Sequence, residues 1–147
     1  FIELMRMINI KNDLKLVEVK KLDYRFLYDL LKNRDPITNI SHIKMPSYVE
    51  HVNFLNSKPY SKWYIIKQRN QKIGSVYLSK NDEVGIFIKE GFQGEGIGEI
   101  ILHELMKNNV RKRYIANVSI KNKGAMKFFK KNKFKLVQHT FEFRIKD

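Results

Sequence analysis

The run Gln93-Gly94-Glu95-Gly96-Ile97-Gly98 constrains the fold more than any other feature, because of what flanks it. Before it, residues 83–89 read as a strand. After it, Ile97, Ile100, Ile101, Leu105 and Met106 recur at helical spacing. Strand, glycine turn and amphipathic helix in direct succession call for a sheet with a helix laid against it. Glycines allow positive φ and let a backbone approach a ligand with no Cβ in the way. The first N–H groups of the helix lack intrahelical partners, and the helix dipole adds positive charge at the same place, so a phosphate or pyrophosphate is stabilised there. Glycines alone would equally serve an ordinary strand-to-helix turn.

The rest of the chain extends this pattern. Residues 14–19 alternate as a strand, and residues 24–31 place Phe26, Leu27, Leu30 and Leu31 on one side of a helix. Residues 33–46 form a loop marked by Asp35-Pro36 and Pro46. Ser47 then caps a short helix, with Glu50 completing a capping box. Strands are expected at residues 62–69 and 72–79, joined at Asn70-Gln71, and Asn81-Asp82 turns the chain into the strand at 83–89. Beyond the long helix come a strand at 114–120, a helix at 123–132 and a last strand at 135–145. The expected order is β-α-α-β-β-β-α-β-α-β, an α/β (α+β) domain of residues 1–147 around one mixed sheet of about six to seven strands with four helices.

Composition limits the partners. The chain of 147 residues is 43% hydrophobic and 30% charged, which reads as globular. It has no cysteine, so it has no disulfide, thiolate metal site or cysteine nucleophile, and no metal is expected. No apolar run is long enough to span a bilayer, and the first residues lack a signal-peptide pattern, so a cytoplasmic protein with no membrane partner is expected. The formal charge of +14 attracts anions. The basic residues are scattered, with short clusters at Arg111-Lys112-Arg113 and Lys130-Lys131, which argues against a nucleic-acid partner.

Spacing excludes two other phosphate loops. A P-loop needs Lys after its last glycine, and Glu99 follows Gly98. The dinucleotide fingerprint needs G-x-G-x-x-G with an acidic residue about 20 positions on. Here the glycines fall as G-x-G-x-G, and the strand after the helix ends in Ile120-Lys121-Asn122.

Residues 93–98 match every position of [Q/R]-x-x-G-x-[G/A], and the chain resembles the GNAT superfamily of acyl-CoA N-acyltransferases. A second signature of that family, Asn-x-x-Ala-x-x-x-Tyr-x-Lys-x-Gly-Phe, is matched by Asn122, Ala125, Lys131 and Phe134, with Phe129 in place of Tyr and Lys133 in place of Gly. The resemblance implies acetyl-CoA (coenzyme A) as cosubstrate. It implies that the main chain of Ile86, Phe87 and Ile88 pairs with the pantetheine arm, at a place where the fourth and fifth strands splay. It further implies that Gln93, Gly94, Glu95, Gly96, Ile97 and Gly98 hold the pyrophosphate, and that Asn122 lies near the pantetheine or thioester.

Such enzymes work by direct attack of an amine on the thioester, so positioning supplies much of the rate, and a base must take a proton from the ammonium. Glu83 is the first candidate base. His51 and Glu50 follow on the short helix, then His42, while His103 and His139 are weaker. Phe129 cannot donate a proton to the departing thiolate as a Tyr would, so the thiolate leaves unassisted or Tyr77 or Tyr114 reaches it. The N-terminal half, with Asn33-Arg34-Asp35-Pro36, Glu50-His51 and Trp63-Tyr64, is similar to acetyltransferases of nucleotide-linked amino sugars and, more loosely, to those of ribosomal-protein N-termini. Arg34 suits a phosphate or carboxylate, and Trp63 or Tyr64 a base or sugar ring. The expected function is N-acetyl transfer to a small-molecule primary amine, with a nucleotide sugar as the first acceptor to consider and a homodimer as one assembly. A protein N-terminal acetyltransferase and a non-catalytic acyl-CoA-binding protein stay open.

Overall fold

A computed structural model describes residues 1, 2, 4, 13–34 and 44–146. Four strands form one antiparallel sheet in chain order: β1 (Leu14–Glu18), β2 (Lys62–Gln68), β3 (Gln71–Leu78) and β4 (Val84–Ile88). Between β1 and β2 the chain forms a 3-10 turn and the helices α1 (Tyr24–Lys32) and α2 (Tyr48–Asn56). After β4 come α3 (Ile97–Asn108) and α4 (Lys123–Lys131).

The hairpin joining β2 and β3 turns at Arg69 and Asn70, whose φ angles are 49° and 67°. Two successive left-handed residues match the right-handed twist of the flanking strands. The turn therefore lies one residue earlier than Asn70-Gln71. Asp82, at φ 64°, makes the next turn where Asn81-Asp82 was expected.

The two faces of the sheet carry different cores. On one face Ile66, Val76, Leu78 and Val84 pack with Ile97, Ile101, Leu102 and Leu105 of α3. On the other, Ile65 packs with Leu27 of α1 and Leu55 of α2. Period-two alternation along β2 and β3 sends neighbouring side chains to opposite helices, so the sheet is a middle layer.

The sheet is smaller than the six to seven mixed strands expected. Among the described residues, the segment 114–120 makes only one parallel bridge, between Glu83 and Ile115. Its bonds are Val84 N–H to Ile115 O (2.7 Å) and Ile115 N–H to Asp82 O (2.8 Å). Residues 135–145 form no strand, and their side chains are exposed. Alternation marks a segment able to pair, yet a strand exists only where a neighbouring edge accepts its main chain.

Candidate functional site

The end of pairing at Ile115 shapes the site. In an antiparallel ladder, alternate residues turn both main-chain groups toward the same neighbour. Ser79 N–H bonds to Glu83 O, while Val84 N–H bonds outward to Ile115. The period of two therefore turns Gly85 and Phe87 toward β3, and Ile86 and Ile88 toward the outer edge. Among the described residues, no main-chain partner meets Ile86 on that edge. Of the three residues expected to pair with pantetheine, Ile86 and Ile88 present their main chain outward. Phe87 bonds inward and gives its ring to the α1 side of the sheet.

The glycine loop begins at the end of this edge. Gly94 and Gly96 are left-handed, at φ 81° and 78°, and a Cβ on either would meet nothing within 4 Å. Gly96 is the N-cap of α3 and has no side chain to bond the first-turn N–H groups, which stay available to a ligand. Gln93 Nε2 donates to Ile88 O (2.9 Å), fastening the loop to β4. Gly98 differs from the other two. A Cβ there would lie 3.2 Å from the Phe128 ring, so this glycine lets α3 and α4 approach. Glu95 is exposed, and Ile97 is buried beneath the helix start.

On the α1 side of the sheet an aromatic cluster surrounds the start of β4. The rings of Tyr60 and Tyr77 stack 3.7 Å apart at 4°. Trp63 stands edge-on to Tyr60 at 4.6 Å. Its Nε1 is a buried atom with no hydrogen-bond partner among the described residues. The guanidinium of Arg34 lies 4.3 Å from the centroid of the Phe87 ring. Burial pushes both tyrosines above their usual range, and the Glu83 carboxylate adds to this. Burial lowers Arg34, partly offset by Tyr77 and Tyr60. Glu83, Arg34, Trp63 and Phe87 thus converge on one face.

Other expected residues sit elsewhere or are engaged. Glu50 accepts from Ser47 N–H (3.2 Å) as Ser47 Oγ accepts from Glu50 N–H (3.1 Å), the expected capping box. The Ser47 bonds hold its carboxyl below the usual range. His51 is buried in α2 beside Tyr28 and Phe54. Asn122 caps α4, its side chain accepting from Ala125 N–H (3.1 Å). Phe129 packs between Phe128 and Phe134. His103 Nε2 meets Asn132 Oδ1 at 3.1 Å, linking α3 to α4, and His139 lies on the exposed C-terminal segment. Residues 35–43, with Asp35, Pro36 and His42, lie outside the described residues. No group of three or more His, Cys, Asp or Glu able to hold a metal occurs among the described residues.

Tyr60 and Gly85 were missed by the sequence reading. The available signal was the glycine within a strand pattern, which marks close approach of another group. A Cβ on Gly85 would lie 2.2 Å from the Tyr77 ring and 2.6 Å from its hydroxyl. Gly85 is the register partner of Tyr77, so the ring lies directly over it.

An open strand edge leading into left-handed glycines and a helix start fits a coenzyme with an extended amide arm and a pyrophosphate. The sequence profile of the acetyltransferase (GNAT) domain matches residues 59–136, and the chain belongs to that family. It is an acetyl-CoA-dependent N-acetyltransferase. Solved structures share the fold. A domain from Methanocaldococcus jannaschii superposes with a TM-score of 0.73 at 22% identity, over 88% of this chain and 92% of that one. Spermidine N-acetyltransferase from Vibrio cholerae, in complex with CoA and spermine, gives 0.76 at 19% identity, over 92% and 89%. RimL, a ribosomal α-N-protein acetyltransferase in complex with coenzyme A, gives 0.68 at 20% identity, over 88% and 84%. No curated protein matches the chain in sequence.

Proposed function

We propose that the acceptor is a primary amine on a molecule that also carries an anion, with a nucleotide-linked amino sugar as the first choice. The observation that carries this reading is Arg34 stacked on Phe87, on the face that also holds Glu83. A half-buried guanidinium beside the reacting amine favours an anionic neighbour such as a phosphate and disfavours a polycation. The aromatic wall of Tyr60 and Trp63 offers flat apolar surface to a sugar or base.

In this reading the pantetheine arm pairs with the outward main chain of Ile86 and Ile88. The pyrophosphate meets the N–H groups at residues 94–98. Glu83 takes the proton that the ammonium must lose before its lone pair can attack. Incubation with acetyl-CoA and a panel of UDP-amino sugars, peptides and polyamines tests the acceptor. Turnover of an amino sugar, reduced at least about tenfold in Arg34→Met through a raised acceptor KM, is the expected result. Acetylation of peptides or polyamines with no turnover of any amino sugar overturns it. Glu83→Gln is expected to lower kcat by roughly 10²-fold with acetyl-CoA affinity unchanged.

A further inference from the structure

The substitution of Phe for Tyr at position 129 raises the question of where the departing sulfur finds a proton. The chain has seven tyrosines, all among the described residues, so each can be weighed. Tyr114 has its hydroxyl committed: it donates toward Asn109 O (2.7 Å) and Met106 O (3.1 Å) and accepts from Arg111 N–H (3.0 Å). Tyr24 bonds Asn56 Oδ1, and Tyr28 bonds Pro46 O. The Tyr64 hydroxyl accepts from Asn109 Nδ2 at the far end of α3. Tyr48 lies on α2, stacked edge-on against Tyr28. The stacked pair Tyr60 and Tyr77 remains.

Tyr77 differs from Tyr60 in where its hydroxyl lies. The side chain leaves β3 and crosses over β4, which has no Cβ at Gly85 to block it. A tyrosine hydroxyl lies farther from its own Cα than the spacing of about 4.8 Å between strands, so it reaches across to the neighbouring backbone. The hydroxyl would be only 2.6 Å from a Cβ on Gly85, the residue before Ile86. Ile86 is where the main chain of β4 first faces the open edge beyond the Ile115 bridge. The geometry points to Tyr77 as the proton donor to the departing thiolate, the position of its hydroxyl over Gly85 replacing the hydroxyl that Phe129 lacks. This inference rests on the reading that acetyl-CoA lies along β4.

The groups around Tyr77 suit the task. The Tyr60 ring, stacked 3.7 Å from that of Tyr77, holds the Tyr77 ring in place over β4. Glu83 and Arg34 are the charged groups acting on Tyr77. The remaining neighbours, Trp63 and Phe87, are uncharged rings. The ammonium first loses one proton to solvent by way of Glu83. The nitrogen pair then forms the C–N bond, and the nitrogen gives its second proton to Glu83. The C–S bond breaks with its pair on sulfur, which takes the Tyr77 proton. The Tyr77 phenolate then regains a proton from Glu83 by way of Tyr60 or water. The products are the amide and coenzyme A as the free thiol.

Coenzyme A itself is the probe, so the test needs no acceptor. The ultraviolet absorbance of the bound thiolate is followed against pH, with the desulfo-coenzyme A complex as reference. A Tyr77 hydroxyl donating to sulfur favours the thiolate, so the bound thiol of the wild type should titrate about one pH unit below that of Tyr77→Phe. Tyr60→Phe should fall between them. With acetyl-CoA and a working acceptor, Tyr77→Phe should lose roughly 10²-fold in kcat at unchanged acetyl-CoA KM. A thioester of a more acidic thiol should recover most of that loss. Identical thiol titrations in wild type and Tyr77→Phe, with coenzyme A bound to both, overturn the inference and leave the coenzyme site standing. No calorimetric binding of coenzyme A to the wild type overturns both.

Discussion

Gly94 and Gly96 hold left-handed backbone in a loop with open space around them, whereas Gly91 holds φ 92° just outside it. An alanine at any of the three should cost about 1–2 kcal/mol in stability, because its Cβ crowds the following carbonyl. Only at positions 94 and 96 should it also weaken acetyl-CoA binding, where the added methyl stands where the pyrophosphate approaches. Thermal unfolding and calorimetry on the three variants separate the two effects. Equal loss of coenzyme affinity in Gly91→Ala would show that strain alone is responsible. The loop was legible in the sequence because its meaning is local: spacing, a strand before and a helix after. The roles of Gly85 and Gly98 were not, since each makes room for a ring brought by another element, Tyr77 from β3 and Phe128 from α4. Tyr60 and Tyr77 meet only because β2 and β3 fold back on each other, and neither residue marks this by its own neighbours in sequence.

Helix α4 shows how far an element can be read from its residues. The helix expected at 123–132 spans Lys123–Lys131, and Asn122, which the family resemblance placed near the pantetheine or thioester, is its cap. None of its residues is fully buried, so its anchorage rests on the Asn122 cap, the Phe128, Phe129 and Phe134 rings and the Lys131–Glu99 pair at 3.4 Å. Asn122→Ala should cost about 1 kcal/mol by leaving the Ala125 N–H without its cap. Asn122→Ser, which restores a capping oxygen, should regain most of that loss in chemical denaturation. If Asn122 also touches the pantetheine arm, the Ser variant will recover stability without recovering acetyl-CoA affinity. Recovery of both together would assign Asn122 to the cap alone. The strands at 62–68, 71–78 and 84–88 were legible because hairpin turns at Arg69-Asn70 and Asp82 bring each to its neighbour. Segments 114–120 and 135–145 were expected as strands too, but among the described residues only Ile115 of these meets a neighbouring edge. Alternation therefore overstated the sheet.

At the scale of the whole molecule, the +14 charge acts through space rather than through any one contact. No helix among the described residues is long and apolar enough to cross a membrane. Lys123, Lys127, Lys130 and Lys131 are exposed on α4, which packs against α3 through Gly98 and Phe128 close to the glycine loop. In the proposed reading, a phosphate-bearing coenzyme approaching that loop is drawn in by the summed field and then held by short-range N–H groups. The two contributions respond differently to salt. The Debye length shrinks from about 10 Å at 0.1 M to about 3 Å at 1 M, which screens the approach far more than the contact. Between about 0.05 and 0.5 M salt the association rate of acetyl-CoA should fall roughly tenfold, while its dissociation rate changes much less. Replacing Lys127 and Lys130 with Gln should flatten the salt dependence. Gly96→Ala should leave that slope intact and act on dissociation. A wild-type association rate indifferent to salt would mean that the basic residues are a surface composition with no part in capture, and that the loop binds its anion by local geometry alone.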